Sequence, residues 1–245
     1  MISIACLTKS IAGALILDGL DLEIGQGETV AIIGPSGTGK SVLLKHVIGL
    51  MRPDSGDVLI EGSSIVRARG GELSRLRRRV GYVFQDAALL DSLTVEQNLH
   101  LALDDRLYAR HPERCKVQVQ AALRAVNLAD DVLDRLPGEL SGGMRKRVGV
   151  ARALIHEPDI ILYDEPTTGL DPQNINVINE VIVRSRERRA TSLVVTHDLQ
   201  SIPTYADRVV LLSHGQIRFT GTPAEFIASS DPLIRSFTSS LPETT

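Results

Sequence analysis

The spacing of apolar residues changes character several times along this chain, and each change predicts an element. Residues 2–6 and 16–24 mix apolar and polar positions, as half-exposed antiparallel strands do. Thr29-Val30-Ala31-Ile32-Ile33 is almost wholly apolar and β-branched, which predicts a strand covered on both faces. A glycine-rich stretch follows, and residues 41–50 predict a helix ending near Gly49. Pro53-Asp54-Ser55-Gly56 predicts a turn and residues 57–60 a short strand. Residues 72–79 carry Arg75, Arg77, Arg78 and Arg79, which predicts a solvated helix face in preference to a nucleic-acid patch. Residues 80–84 return to strand character, with Gln85 at the end.

Between about residues 86 and 140 the period becomes helical. Leu99, Leu103, Val119, Leu123 and Val126 are spaced for amphipathic helices, and β-branched runs disappear. Strand character resumes at residues 159–163, 192–196, 208–212 and 216–219. Right-handed crossovers between such strands make a mostly parallel central sheet the expected result. The fold class is therefore α/β, with an N-terminal antiparallel β subdomain and an inserted helical subdomain. The expected organisation is one domain: residues 1–85 and 141–225 form the core, 86–140 the helical insertion and 226–245 a C-terminal tail. In that tail Leu233, Ile234 and Phe237 have helical spacing. An exposed contact to a neighbouring subunit or small regulatory partner is one reading, a frayed end the other.

The 245 residues, 43% of them apolar, are enough for one large domain with a continuous core. Aromatic residues are only 3% and Trp is absent, so stacking surfaces for single-stranded nucleic acid are poorly supplied. A formal net charge of −3 gives no global attraction to DNA or an anionic membrane, so anion binding has to be local. Cys6 and Cys115 form no CxxC pair, which disfavours a disulfide framework or structural zinc and fits a reducing cytoplasm. The first residues lack the basic start and long apolar segment of a signal peptide. No apolar run approaches the roughly 20 residues needed to span a bilayer, so a membrane role passes through another chain.

The chemistry concentrates in short words. Gly34-Pro35-Ser36-Gly37-Thr38-Gly39-Lys40-Ser41 follows a predicted strand and opens a predicted helix. Its glycines let backbone N–H groups turn inward around phosphate oxygens, and the helix start adds its positive dipole end. Lys40 is placed to reach the β- and γ-phosphates and the Ser41 hydroxyl to bind Mg2+. Ile160-Ile161-Leu162-Tyr163-Asp164-Glu165 sets two carboxylates at the carboxyl end of a buried strand, where open α/β sheets bind ligands. Asp164 is expected to hold Mg2+ and Glu165 to act on the attacking water. Leu140-Ser141-Gly142-Gly143 precedes a helix running to about Ile155, with Ser141 as N-cap and glycines that allow a phosphate close approach.

In this order, GPSGTGKS, Gln85, LSGGM, IILYDEP, Gly169-Leu170-Asp171 and His197 resemble the ABC-type ATPases over nearly the whole chain. The resemblance implies ATP and Mg2+ as cofactors and a homodimer of ATPase subunits paired head to tail. Ser141, Gly142, Gly143 and Met144 of one subunit would face the γ-phosphate held by the other. Gln85 would join Ser41 and Asp164 at the metal and couple that site to the helical subdomain. Asp171 would communicate across the dimer and His197 would contact the γ-phosphate. Two positions depart from the family pattern. Met144 stands where the common signature has Gln, and Ile11 falls where an aromatic residue usually stacks on adenine. An aliphatic cover lacks π character, which predicts weak selectivity between bases.

The string Leu140-Ser141-Gly142-Gly143-Met144-Arg145-Lys146-Arg147, with FQDAALLDSLTV and YDEPTTGLDP, is similar to the ATPases of Mce/Mla-type lipid transporters. That similarity implies a subunit peripheral to the cytoplasmic face of the inner membrane, working on an integral-membrane permease and an Mce-type lipid-binding protein. A soluble ABC protein acting on DNA or ribosomes is the alternative from another class. Such proteins usually carry two cassettes or a long internal coiled coil, and nucleic acid is not an expected partner here. A nucleotide-gated module without turnover is a third reading, opposed by the intact Glu165.

Overall fold

In the computed structural model of the chain, residues 1–103 and 111–239 are described. Two sheets organise them. Strands β1 (Ile2–Ile11), β2 (Ala14–Ile24), β4 (Ser55–Ile60) and β5 (Ser63–Ser64) make a four-stranded antiparallel sheet in the order β2-β1-β4-β5. Strands β3 (Thr29–Ile33), β6 (Val80–Val83), β7 (Ile160–Asp164), β8 (Thr191–Val195), β9 (Arg208–Ser213) and β10 (Gln216–Gly221) make a six-stranded sheet in the order β10-β9-β3-β8-β7-β6. Every pairing in it is parallel except that of β10 on β9. The α/β class read from the sequence, with its antiparallel N-terminal sheet, is the observed one.

The strands β3, β7 and β8 are buried along their whole length because each feeds two cores. Ala31, Ile33, Ile161, Tyr163 and Val194 point into one core; Val30, Ile32, Ile160, Leu162, Leu193 and Val195 point into the other. The period of two thus appears as alternation between two apolar layers rather than between core and water. The second layer takes the antiparallel sheet, α1 (Lys40–Val47) and α2 (Gly70–Arg77). The first takes α3 (Val95–His100), α4 (Pro112–Ala125), α5 (Gly142–Leu154), α6 (Pro172–Glu187) and the short α7 (Ile202–Tyr205). Leu99, Val119, Leu123 and Val126 are fully buried there, and Leu103 nearly so, as their spacing predicts.

Two expectations need correction. Of the arginines of residues 72–79, Arg75 and Arg78 are exposed as expected, but Arg77 and Arg79 are not merely solvated. Arg77 donates to the carbonyls of Ile48 and Gly49, capping the C-terminal end of α1. Arg79 is clamped between Glu61 and Asp159, with contacts of 2.6 to 2.8 Å. The region from 226 is not a free tail either: α8 (Pro223–Ile227) and α9 (Pro232–Thr238) bury Phe226 and Ile234 in the first core, with Phe237 packed against it. Of the predicted stripe, Ile234 and Phe237 serve this domain's core, while Leu233 is exposed. Residues 240–245 of the predicted tail, and 104–110 of the 86–140 segment, lie outside the described residues.

Candidate nucleotide site

Four functional words leave the carboxyl ends of four adjacent parallel strands, in the spatial order β3, β8, β7, β6. The 34–41 loop follows β3, His197 follows β8, Asp164 and Glu165 end β7, and Gln85 follows β6. This is the edge at which open α/β sheets bind ligands.

The loop's shape depends on two glycines. A Cβ at Gly34, whose φ is 151°, would stand 2.0 Å from the Leu212 carbonyl oxygen. One at Gly39 (φ 96°) would meet Ile16 Cγ2 at 2.8 Å. Only bare backbone fits between β9 and the β1–β2 hairpin. Thr38 Oγ1 donates to the Pro35 carbonyl at 2.9 Å, closing the turn, while Ser36 and Gly37 face solvent. Lys40 folds back, and its Nζ donates to the carbonyls of Gly34 at 2.8 Å and Pro35 at 2.9 Å. Burial lowers its pKa, opposed by the attraction of Glu165 and Asp164. The ammonium is therefore a desolvated cation held by carbonyls, which an anion with more negative charge can draw away.

Asp164 is the centre of a hydrogen-bonded floor. Ser41 Oγ donates to its Oδ1 at 2.7 Å and the Tyr82 hydroxyl to its Oδ2 at 2.9 Å. Tyr82 was not singled out from the sequence. A phenol in an otherwise apolar buried strand has to find a partner, and that was the available signal. Burial and the Asp164 carboxylate push its pKa well above the ordinary value. Among the described residues no three of His, Cys, Asp or Glu converge to hold a metal. The Ser41–Asp164 pair still fits Mg2+, which binds hard oxygens, takes one or two carboxylates, and completes its shell with water and substrate phosphates.

Glu165 adopts φ 48°, a left-handed conformation that non-glycine residues keep only where the surroundings enforce it. Its N–H donates to the Val195 carbonyl at 2.9 Å, tying it to β8. Its Oε1 lies 2.9 Å from His197 Nε2, and its Oε2 accepts from Thr168 Oγ1 at 3.0 Å.

The signature segment forms a separate surface. Ser141 caps α5 by accepting from the Met144 N–H at 3.2 Å, and Ser141 and Gly142 are exposed. The Met144 side chain packs against the first core. A Cβ at Gly143 would lie 2.8 Å from Asn174 Nδ2. Asn174 donates that nitrogen to Asp171 Oδ2 at 2.6 Å and its N–H to Asp171 Oδ1 at 2.9 Å, so Asp171 caps α6 beside the signature. These bonds hold the Asp171 carboxyl below its ordinary pKa. Gln85, Asp86, Gly142, Lys146, Thr168 and Gly169 line a cleft of about 340 Å³. Among the described residues no hydrogen bond joins the signature to Lys40, Ser41 or Asp164, and none brings Gln85 to Ser41 or Asp164. Ile11 is exposed at the end of β1, paired with Ala14 across the hairpin. Ile16 and Leu17 of the same hairpin lie against Gly39 of the glycine loop.

A family model described as ABC transporter matches residues 17–168, which span the glycine loop, Gln85, the signature and Asp164-Glu165. The chain belongs to the ABC transporter family. The cassette is 41% identical over 251 residues to Protein TRIGALACTOSYLDIACYLGLYCEROL 3, chloroplastic, of Arabidopsis thaliana, covering 94% of this chain and 70% of that one. It is 38% identical over 237 residues to a probable ribonucleotide transport ATP-binding protein, mkl, of Mycobacterium leprae, covering 96% and 68%. Among solved structures, the ATP-binding cassette MJ0796 in a dimeric post-hydrolysis state with ADP and Pi superposes with a TM-score of 0.83 at 30% identity. That match covers 91% of this chain and 99% of the solved one. The cassette is an ATP-binding, ATP-hydrolysing domain of this family.

Proposed function

We propose that this cassette is the ATPase subunit of a lipid transporter, acting as a head-to-tail homodimer peripheral to the cytoplasmic face of the inner membrane. The observation that carries the catalytic reading is the Ser41–Asp164 hydrogen bond, with Glu165 directly beside it. In this reading the 34–41 loop cradles the phosphates, Lys40 leaves its carbonyls for the β- and γ-oxygens, and Ser41 and Asp164, with Gln85, hold Mg2+. The metal supplies charge neutralisation at the phosphates. Glu165 accepts the proton of the water that attacks the γ-phosphorus, the bond to the ADP oxygen breaks, and phosphate leaves. His197 turns from Glu165 to the γ-phosphate. Ser141, Gly142, Gly143 and Met144 of the second subunit close over it, and Asp171 carries the state of one site to the other.

Within this cassette, residues 86–140 act as the helical subdomain. The loop around Leu90 and Leu93 meets an integral-membrane permease, and an Mce-type lipid-binding protein lies beyond. Leu90 is exposed, and the buried Asn98 side chain holds the loop through Leu90, Leu93 and Thr94. Placing the coupling segment directly after the nucleotide-facing Gln85 lets hydrolysis become movement. Among the described residues no helix is long and apolar enough to cross a membrane, which is compatible with a peripheral subunit.

Cargo names differ among relatives: methionine import for one of Carboxydothermus hydrogenoformans, glycine betaine, carnitine and choline transport for one of Bacillus subtilis. Lipid is favoured by the LSGGMRKR resemblance and by the glycolipid in the Arabidopsis relative's name. Purification of the tagged chain from native membranes tests this. Recovery of a permease with a lipid-binding component supports it; a permease accompanied by a sugar- or amino-acid-binding protein overturns the lipid assignment.

A further inference from the structure

Two side chains outside the motif roles above converge on Glu165. Thr168, three residues on in the same loop, donates from Oγ1 to Glu165 Oε2 at 3.0 Å, and its N–H donates to the Glu165 carbonyl at 3.4 Å. The Thr168 carbonyl in turn accepts from Lys146 Nζ, near the start of α5. Lys146 is half-buried in the cleft with Gln85 and Asp86; burial lowers its pKa, while Asp86 and Glu165 draw the ammonium in. A bonded path therefore runs from the signature helix to the carboxylate: Lys146, Thr168, Glu165, His197.

Each carboxylate oxygen of Glu165 already accepts one contact, which orients the group and leaves a second lone pair on each oxygen for water. His197 is the partner placed to leave. It comes from a different loop, after β8, and its side chain is 44% exposed against 15% for Glu165. Thr168 is held beside Glu165 by the tight loop itself, so its hydroxyl stays when His197 turns away.

We propose that Thr168 and Lys146 are positioning residues for hydrolysis: Thr168 Oγ1 locks the Glu165 carboxylate with Oε1 toward the attacking water, and Lys146 locks Thr168 from the helix that begins at the signature. The inference rests on reading Glu165 as the base. It makes the aim of Glu165 depend on where α5 sits. Drawing the signature end of α5 away from the 165–171 loop releases Thr168 and lets the carboxylate swing. A displacement of about 1 Å at a reacting group can cost on the order of 10²-fold in rate, so this contact is enough to gate turnover.

The test uses the purified full chain with Mg2+-ATP, reading kcat, KM, affinity for a fluorescent ATP analogue and thermal midpoint. Thr168→Val removes the hydroxyl and keeps the carbonyl; Lys146→Met removes the ammonium and keeps most of the stem. Each is expected to lower kcat by about 10- to 100-fold with KM and analogue affinity near wild type. Thr168→Ser and Lys146→Arg are expected to restore most of the turnover. The double variant should be little worse than the poorer single one, because both act through one carboxylate. Should Thr168→Val fail to fold, Thr168→Ala and the half-buried Lys146→Met carry the same comparison. Turnover near wild type in Thr168→Val and Lys146→Met, with Glu165→Gln inactive, overturns the positioning role and leaves Glu165 standing. A fall in ATP affinity matching the fall in kcat also overturns it. Wild-type turnover in Glu165→Gln overturns the reading beneath it instead.

Discussion

Replacing Tyr82 by Phe removes one oxygen from beneath the site and little else. The ring stays in the second core, tilted against Phe84 with centroids 4.3 Å apart, so no cavity opens. What is lost is the 2.9 Å hydrogen bond to Asp164 Oδ2 on a carboxylate only 5% exposed. Ser41 still satisfies Oδ1, but Oδ2 is left buried and short of a donor. A hydrogen bond to a charged group contributes about 1.5–3 kcal/mol net, and an orphaned buried acceptor costs a similar amount. For a chain of this size each kcal/mol shifts the melting midpoint by about 2–4 °C, so Tyr82→Phe should melt roughly 3–12 °C below wild type. Urea unfolding of Tyr82→Phe, Asp164→Asn and the double variant separates this bond from other effects. A coupling of about 1 kcal/mol or more between the two positions is expected. A Phe variant that melts within about 1 °C of wild type, with no coupling to Asp164, rules out a stabilising Tyr82–Asp164 bond.

Three further outcomes follow from the same geometry. Burial pushes the Tyr163 hydroxyl up to about 12 from its ordinary value of 10.0. Above pH 10 the unfolded chain gives up that proton while the native chain keeps it until about pH 12, so stability falls across that window. Tyr163→Phe should flatten that fall by up to about 1.4 kcal/mol per pH unit in alkaline urea melts, and an unchanged slope contradicts it. Lys40→Ala should weaken binding of a fluorescent ATP analogue, whereas Ser141→Arg should leave binding near wild type and abolish dimer closure seen by light scattering; loss of binding in both contradicts separate faces. Leu90→Asp should spare ATP binding yet uncouple ATPase from transport in the native membrane complex, and full transport by that variant removes Leu90 from the permease contact.

Much of this architecture could be read before any coordinates. Continuous apolar runs such as residues 30–33 and 160–163 announce strands covered on both faces because each side chain must find a dry layer, whichever way it points. The nucleotide loop was legible because its glycines supply the positive φ and the close backbone approach that the loop needs, and glycine spacing is written in the sequence. What escaped were partners fixed by tertiary register. Tyr82 meets Asp164 only because β6 pairs with β7, and Lys146 meets Thr168 only because α5 lies across the loop after β7. Arg77 and Arg79 escaped for the same reason: their charge looks like solvent exposure, as it is for Arg75 and Arg78, until Ile48, Gly49, Glu61 and Asp159 are brought to them. The stripe of Ile234 and Phe237 has a period that does not say whether its own core or another chain covers it.

Glu165 is proposed to drive hydrolysis inside a site completed by a second copy of this chain. Glu165→Gln, incubated with Mg2+-ATP and measured by light scattering with nucleotide analysis, tests it most directly. The expected result is a dimer with two uncleaved ATP molecules and turnover lowered by about 10²–10⁴-fold. A monomer that hydrolyses ATP at the wild-type rate contradicts it.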